Sequence, residues 1–585
     1  MLFVFQSQCI AIYMALFSYL LHYTFDTSSS KDLKQQLTEF DFIIVGAGPA
    51  GCVLANRLTE ISQWKVLLLE VGGEEPVATN IPGWTFELEG TDIDWKYRTQ
   101  SDGYSCIVDQ GCPWPRGQVL GGSSAMNYML YVRGNPVDYY MWELLGNPGW
   151  SYNDVLPYFK KSEDNGDEDI LKGNAQYHQT GGYLSVERLP DITPDARIIL
   201  RGLDEFGLKN MDINAQSQLG SMNLQTTSDK GSRASSNKAF LRPIRYQRPN
   251  LFIKTRTFVT KILIDQWTKT AIGVEYTNTL TGESGIFMAR KEVIVSAGSI
   301  NSPKLLMLSG IGPIQELQKH GINVIQNLPV GHNLQDHVTF TGIPCQIAGR
   351  MIKSPTCPQK LSYLSYYLST NRGPFSNLGI TTISAFFQTE YEQIQGAPDM
   401  QLLFRGDSTD AIFYNQFHIY PTLLTPKSRG YITLNETYPT WGAPIIQARY
   451  LADEFDMKRL LRGVRITLGL FNTRAFKENN FRFDETPSPS CAAFEFNSDG
   501  YWICMIRQYT RTVYHPIGTC KMGPKEDSEA VVDSKLRVHG VNNLCVIDAS
   551  IMPTLPRGNT VAAVYMIAEK GSDMLKEKWL KAYYV

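Results

Sequence analysis

The stretch Phe42-Ile-Ile-Val45, running directly into Gly46-Ala-Gly48-Pro-Ala-Gly51, decides the fold. Four apolar residues, three of them β-branched, read as a buried strand, and the glycines that follow open a helix over Cys52 to Leu58. Each glycine suits a separate need: a tight turn, close approach of backbone to a pyrophosphate, and close packing of helix on sheet. The helix start aims free N–H groups and the positive end of its dipole at phosphates. A second apolar run, Lys65-Val-Leu-Leu-Leu69, ends on Glu70, about twenty residues past Gly51, where a carboxylate accepts from a ribose hydroxyl. A glycine loop alone is weak evidence; strand, loop, helix, strand and acid in about thirty residues is the confirming context.

At 585 residues the chain is too long for one core, so two domains are expected. Basic and acidic residues nearly balance at a net charge of −2, which gives no electrostatic reason for a nucleic-acid partner or an anionic membrane. No C-x-x-C pair occurs, so neither a zinc site nor thioredoxin-like chemistry is expected.

The first 25 residues read as a secretory signal, with Ile10 to Leu21 as its apolar run and the polar stretch Asp26 to Lys31 after it, so the protein is expected outside the cell. Against this, no Lys or Arg opens the chain and no clear cleavage site follows. An uncleaved anchor is the alternative and would be the only reason for membrane contact, but Gln6-Ser-Gln8 interrupts the run. A buried N-terminal helix is the least favoured reading. Cys9 is then expected to leave with the signal, while Cys106 with Cys112, Cys345 with Cys357, and Cys491 with Cys504 flank short segments that an oxidising compartment could close as disulfides. Asn435-Glu-Thr437 is a glycosylation sequon.

Along the chain, Gly121-Gly122-Ser123-Ser124 offers backbone N–H groups and hydroxyls to a planar polar ligand. Ser162 to Lys172 reads as an exposed loop. Strand patterns at 251–254, 258–264, 272–276 and 292–296 return the chain to the nucleotide-binding sheet, the last entering Ala297-Gly298 and a helix. From Val338 strand-like and aromatic segments dominate, including Phe386, Phe387, Phe404, Phe413, Tyr414, Phe417, Tyr420 and Trp441. Such rings are more often core than pocket, though some would line an apolar cavity. Leu544-Cys-Val-Ile547 reads as a last strand, and Gly558-Asn559 opens a helix running to about Lys570. The expected fold is α/β with an α+β second lobe: a Rossmann-like domain over 39–337, a substrate domain on a largely antiparallel sheet over 338–508, and a return to the first domain over 509–575.

Five stretches together resemble the glucose–methanol–choline (GMC) family of flavin-dependent oxidoreductases, and its insect glucose-dehydrogenase-like members in particular. They are Gly117 to Asn127, Gly298 to Gly312, Val330 to His337, His515 to Gly523 and Val546 to Ser550, in the family's order. Gln118 stands where relatives more often carry a basic residue. The resemblance implies FAD across the first domain, with Gly46, Gly48, Gly51 and Glu70 serving its ADP half, Val259 on the strand passing the adenine, and Ser123, Asn127 and Asp548 near the flavin. Asp548 without the family would be read as an ordinary turn carboxylate. Relatives that tether flavin do so through a histidine where this chain has Met126, so noncovalent FAD is expected.

Alcohol oxidation needs a base for the hydroxyl proton while hydride passes to flavin N5, and histidine suits that task. Among eight histidines the resemblance selects His515, and it places Asn559 at the second catalytic position. An Asn amide can hold a developing alkoxide but cannot act as a base; it is also a good N-cap for the helix that follows. The expected activity is oxidation of a primary or secondary alcohol, with O2 or a quinone-like acceptor, and the aromatic second lobe leans toward an apolar or aromatic substrate. A hydroxynitrile lyase that retains FAD for structure, or a noncatalytic flavin-binding protein, are the alternatives.

Overall fold

The computed structural model describes residues 2–24, 37–190, 192–349, 355–407 and 412–581. Its first sheet grows outward from Glu39–Val45. On one side lie Val66–Leu69 and then Leu251–Lys254, all parallel; on the other lies Ser284–Val295, also parallel. Ile43 sits between Leu67 and Val293, and all three side chains are fully buried, as expected where helices cover both faces of a parallel sheet. Strand Ser284–Val295 is long enough to serve two neighbours. Its first half pairs antiparallel with Thr270–Asn278, which in turn pairs with Thr257–Asp265. Its last residues, Val293 to Val295, pair parallel with Leu544–Val546, so the end of the chain rejoins this sheet as expected. The helices Pro49–Leu58 and Val561–Lys581 pack against each other; the latter continues eleven residues past the expected end at Lys570, with Trp579 Nε1 donating to buried Glu292 at 2.7 Å.

The second sheet is antiparallel, in the order Phe481–Phe483, Ile343–Ile347, Gln416–Leu423, Met400–Gly406, Ile383–Phe387 and Gly220–Asn223. Val338–Phe340 joins it through Leu423 and pairs on its other edge with Thr510–Thr512. The lobe is therefore not the single span 338–508: it recruits a strand near 220, the helix Pro194–Glu205 in its core, and a strand past 508. Sequence order hides this, because sheet edges are completed by whichever segment returns to them.

Several expectations require correction. The helix Leu2–His22 packs on the body of the protein: Tyr13, Leu16, Phe17, Leu20 and Leu21 meet a cluster that includes Val77, Ile81, Trp84, Tyr367 and Phe375, and Tyr13 accepts from Trp84 Nε1 at 2.7 Å. Cys9 on this helix forms a disulfide with Cys357, so Cys9 is a structural partner and Cys345, buried in the second sheet, is a free thiol. The pairings Cys106–Cys112 and Cys491–Cys504 are as expected. No described helix is long and apolar enough to cross a membrane; the polar stretch 26–31 lies outside the described residues.

The segment read as an exposed loop over 162–172 instead starts as a short strand, Glu163–Asn165, paired with Leu184–Val186. Glu163 is fully buried against Arg133 and His178, so its charge is matched internally and its polarity misled the reading. Likewise Phe386, Phe387, Phe404, Tyr414 and Phe417 are core residues, while Trp441 is 61% exposed. The Asn435 side chain closes a turn, accepting from the Thr437 and Tyr438 amides, and its Nδ2 donates to the Ala443 carbonyl at 3.1 Å.

Candidate active site

A single deep cleft runs from the glycine loop of the first sheet to the junction with the second lobe, and Gly46, Gly48, Glu70, Ser123, Asn127, Val259, Asp548, His515 and Asn559 all line it. Gly51 does not, because its task is packing: a Cβ there would stand 1.9 Å from the Gly46 carbonyl oxygen. Gly46 has a φ of +100°, and a Cβ there would meet the Ser296 carbonyl at 2.6 Å. Nothing lies within 4 Å of a Cβ built on Gly48, so that position opens onto the cleft. The division of labour among three glycines expected from the motif is thus observed.

Three helices begin at this cleft. Pro49–Leu58 and Gly298–Leu308 both start without a side-chain cap, leaving N–H groups for an anionic or polar ligand, and Asn559 lies two residues before the start of the helix Val561–Lys581. Ser296 and Ser299, which also line the cleft, carry buried hydroxyls with no protein partner. Orphaned hydroxyls, uncapped helix starts and an open glycine form a surface that suits the elongated, phosphate-bearing FAD implied above.

Glu70 accepts from the Ala47 amide and the Gly72 amide, each at 2.9 Å, and burial pushes its carboxyl up to about 7 against those two bonds. The two bonds brace the carboxylate at the rim of the glycine loop. Asn127 Oδ1 accepts from the Met129 amide and from Arg233, whose buried guanidinium also binds the Ser124 carbonyl. Asp548 is occupied differently from the expectation: its two oxygens take the Gly298 and Ser550 amides and the Ser302 and Ser550 hydroxyls. It is a cross-tie that holds the 544–546 strand end to the helix start at Gly298, and it lines the cleft in that role. Met126 also lines the cleft, and no cysteine does.

At the far end His515 is held from two sides by one dipeptide. Its backbone N–H donates to Asp336 Oδ1 at 2.9 Å, and its ring Nδ1 meets His337 Nδ1 at 2.9 Å. The pairing of Val338 with Thr512 sets the register that brings these segments together. Asp336 also accepts from the Thr512 and Tyr450 hydroxyls, and burial raises its carboxyl to about 6. Between Thr512 and His515, Tyr514 adopts φ +67°, a conformation costing an aromatic residue about 1–3 kcal/mol. Its N–H donates to Thr512 Oγ1 and its carbonyl accepts from Arg116, which together fix the turn that presents the imidazole.

An Nδ1 to Nδ1 contact holds one proton, and the surroundings say where. Asn559 Oδ1 accepts from Gln401 Nε2 at 3.4 Å, which turns Asn559 Nδ2 as donor toward His515 Nε2 at 3.2 Å. With the Asn559 and Gln401 amides assigned in this sense, the network is satisfied by a bare His515 Nε2 and a proton on its Nδ1 that His337 accepts. His337 Nε2 is buried without a hydrogen-bond partner among the described residues. Burial holds both rings neutral: His337 is pushed down to about 3, and His515 lies well below the usual histidine value, with His337 and Arg116 adding to the effect. The site thus offers a neutral, oriented base with its lone pair beside an amide donor. His337, quoted in the Val330 to His337 motif, carried no role from sequence alone; the rings Trp95, Tyr97 and Tyr128, which line the cleft, came from a stretch with no pattern to flag them.

Comparisons with known proteins agree with this geometry. Two models described as GMC oxidoreductase match residues 40–339 and 426–568. Glucose dehydrogenase (FAD, quinone) of Drosophila pseudoobscura pseudoobscura is 44% identical over 92% of this chain and 87% of its own length. Alcohol dehydrogenase (acceptor) of Pseudomonas putida is 35% identical over 92% of this chain and 96% of its own. Among solved structures a formate oxidase superposes with a TM-score of 0.83 at 26% identity, covering 94% of this chain and all of the other. A cleft built on a dinucleotide-binding sheet, closed by a histidine and asparagine at the second lobe, and matched to these relatives over nearly its whole length, makes this chain a member of the GMC oxidoreductase family.

Proposed function

We propose that this protein oxidises the CH–OH group of a small alcohol or sugar to a carbonyl, with His515 taking the hydroxyl proton on Nε2 and Asn559 holding the oxygen as charge develops on it. The observation that carries the reading is the hydrogen-bonded row of Asn559, His515 and His337 at one end of the cleft. FAD, the family's cofactor, accepts the hydride when bound. Everything else is done by the chain itself. Asn559 Nδ2 is already a donor beside the base, so it can pass from His515 to the substrate oxygen without a rotamer change. His337 keeps the His515 proton on Nδ1, leaving Nε2 ready. The dipole of the helix Val561–Lys581 and the Arg116 guanidinium favour negative charge at this end of the cleft.

The absence of cysteine and of a second histidine from the cleft lining supports noncovalent FAD, and the similarity to the FAD- and quinone-dependent glucose dehydrogenase of Drosophila supports a quinone-like acceptor in preference to O2. Three disulfides support an oxidising compartment and secretion. The aromatic substrate expected from the second lobe loses its support, because most of those rings are core and none of them lines the cleft. His515→Ala should slow anaerobic bleaching of the flavin by alcohol at least ~100-fold while FAD stays bound. Bleaching at the wild-type rate would reject the assignment, and a wild-type protein that cleaves cyanohydrins without bleaching would point to a lyase.

A further inference from the structure

The cleft carries a carboxyl group that the oxidation step does not use. Glu89 lines the same cleft as His515, and one of its oxygens accepts from the Tyr128 hydroxyl at 2.5 Å. Its other oxygen has no hydrogen-bond partner among the described residues. Tyr128 is in edge contact with Tyr514, the residue before the base, at 5.9 Å between ring centres, and on its other side meets Phe86 at 4.8 Å. The sequence of contacts from Glu89 through Tyr128 and Tyr514 to His515 therefore forms one wall of the substrate end.

We propose that Glu89, oriented by Tyr128, is the specificity-determining acceptor for a second hydroxyl of the substrate, so that the preferred substrate is a neutral polyhydroxylated alcohol. This rests on the reading of the site as a CH–OH oxidoreductase. The argument has three steps. A carboxylate oxygen left open in a half-buried wall accepts from a donor that enters the cleft, since an apolar substrate would strip water from it without replacement. Two donor classes exist, a hydroxyl and an ammonium. The Arg405 guanidinium stacks at 4.2 Å on Phe86, the ring that packs against Tyr128, and Arg116, which lines the cleft, donates to the Tyr514 carbonyl beside the base. An ammonium would enter against both guanidinium groups, whereas a hydroxyl does not feel them. The flanking rings supply the flat apolar faces on which the C–H surface of a polyol rests.

The test compares Glu89→Gln and Tyr128→Phe with the unmodified holoenzyme on three probes: an aldohexose, a monohydric primary alcohol and an amino alcohol. In Glu89→Gln the ratio of kcat/KM for the aldohexose over the monohydric alcohol should fall about 5- to 10-fold, the difference between a hydrogen bond to a charged acceptor and one to a neutral amide, mostly through KM. Tyr128→Phe should shift the same ratio in the same direction by a smaller factor. Equal losses on hexose and monohydric alcohol, or a selective loss on the amino alcohol, would overturn the proposal. FAD absorbance retained in each variant shows that the cleft has folded. A wild-type holoenzyme bleached by none of the three would instead refute the underlying CH–OH reading, and calorimetric titration of the hexose into Glu89→Gln reads the contact without turnover.

Discussion

Replacing His337 by Leu separates a positioning role from a packing one. Leu fills similar volume but cannot accept a proton at the position of Nδ1, so the buried Nδ1–H of His515 is left without a partner. That contact is 2.9 Å in a fully buried setting, and an unsatisfied buried donor costs about 1–3 kcal/mol. The cost falls on the tautomer that keeps Nε2 bare, so at 1.4 kcal/mol per factor of ten the population of competent base, and the rate of flavin reduction, should drop about 5- to 150-fold. His337→Gln, whose Oε1 accepts, should recover most of it. The assay is stopped-flow bleaching of the flavin without oxygen, with bound FAD measured from the same samples. A second readout is independent of turnover. Because His337 is held neutral down to about 3, its folded value lies below the ordinary histidine value near 6.5. Stability from this group is complete above 6.5 and is lost as pH falls from there toward 3, and His337→Leu should remove that share of the acid sensitivity. A Leu variant with normal FAD content and wild-type reduction rate would refute the tautomer argument.

Two further outcomes follow from the same geometry. The His515 ring must be neutral to accept a proton and its protonation is displaced well below 6.5; kcat/KM should therefore stay level from alkaline pH through neutrality and fall only below 6.5, whereas a falling limb centred above 7 would contradict the burial argument. Cys357→Ser should leave the catalytic end intact but release the N-terminal helix, lowering thermal stability by an amount consistent with the ~2–4 kcal/mol typical of a disulfide; a peptide map without reductant should join Cys9 to Cys357, and a Cys345–Cys357 link would overturn the pairing.

Much of the scaffold was legible in the chain because its signals are local. A β-branched run, three glycines at fixed offsets and an acid about twenty residues on define a strand, a turn and a second strand through backbone sterics alone, and Gly46, Gly48, Gly51 and Glu70 fall where those offsets require. The strand patterns at 251–254, 258–264, 272–276 and 292–296 were equally visible from their periodicity, whereas the first half of Ser284–Val295 was not read as strand. His515 and Asn559 were reached only through resemblance, since a lone imidazole or amide has no pattern of its own.

What tertiary structure alone decided is whatever depends on partners distant in sequence. The proton direction at His515 is set by His337, 178 positions away, and by Gln401 acting through Asn559. Asp548 lines the cleft and is also a cross-tie, because four donors from segments distant in sequence or in the next turn converge on its two oxygens. Cys9 pairs with Cys357, 348 positions away, in place of the Cys345–Cys357 pair that proximity in sequence suggested, and Glu163, polar in a polar stretch, was buried because Arg133 and His178 arrived to match its charge. Local sterics and periodicity are written in adjacent residues; charge compensation, tautomer choice and sheet edges are properties of encounters, and only the folded chain brings those encounters about.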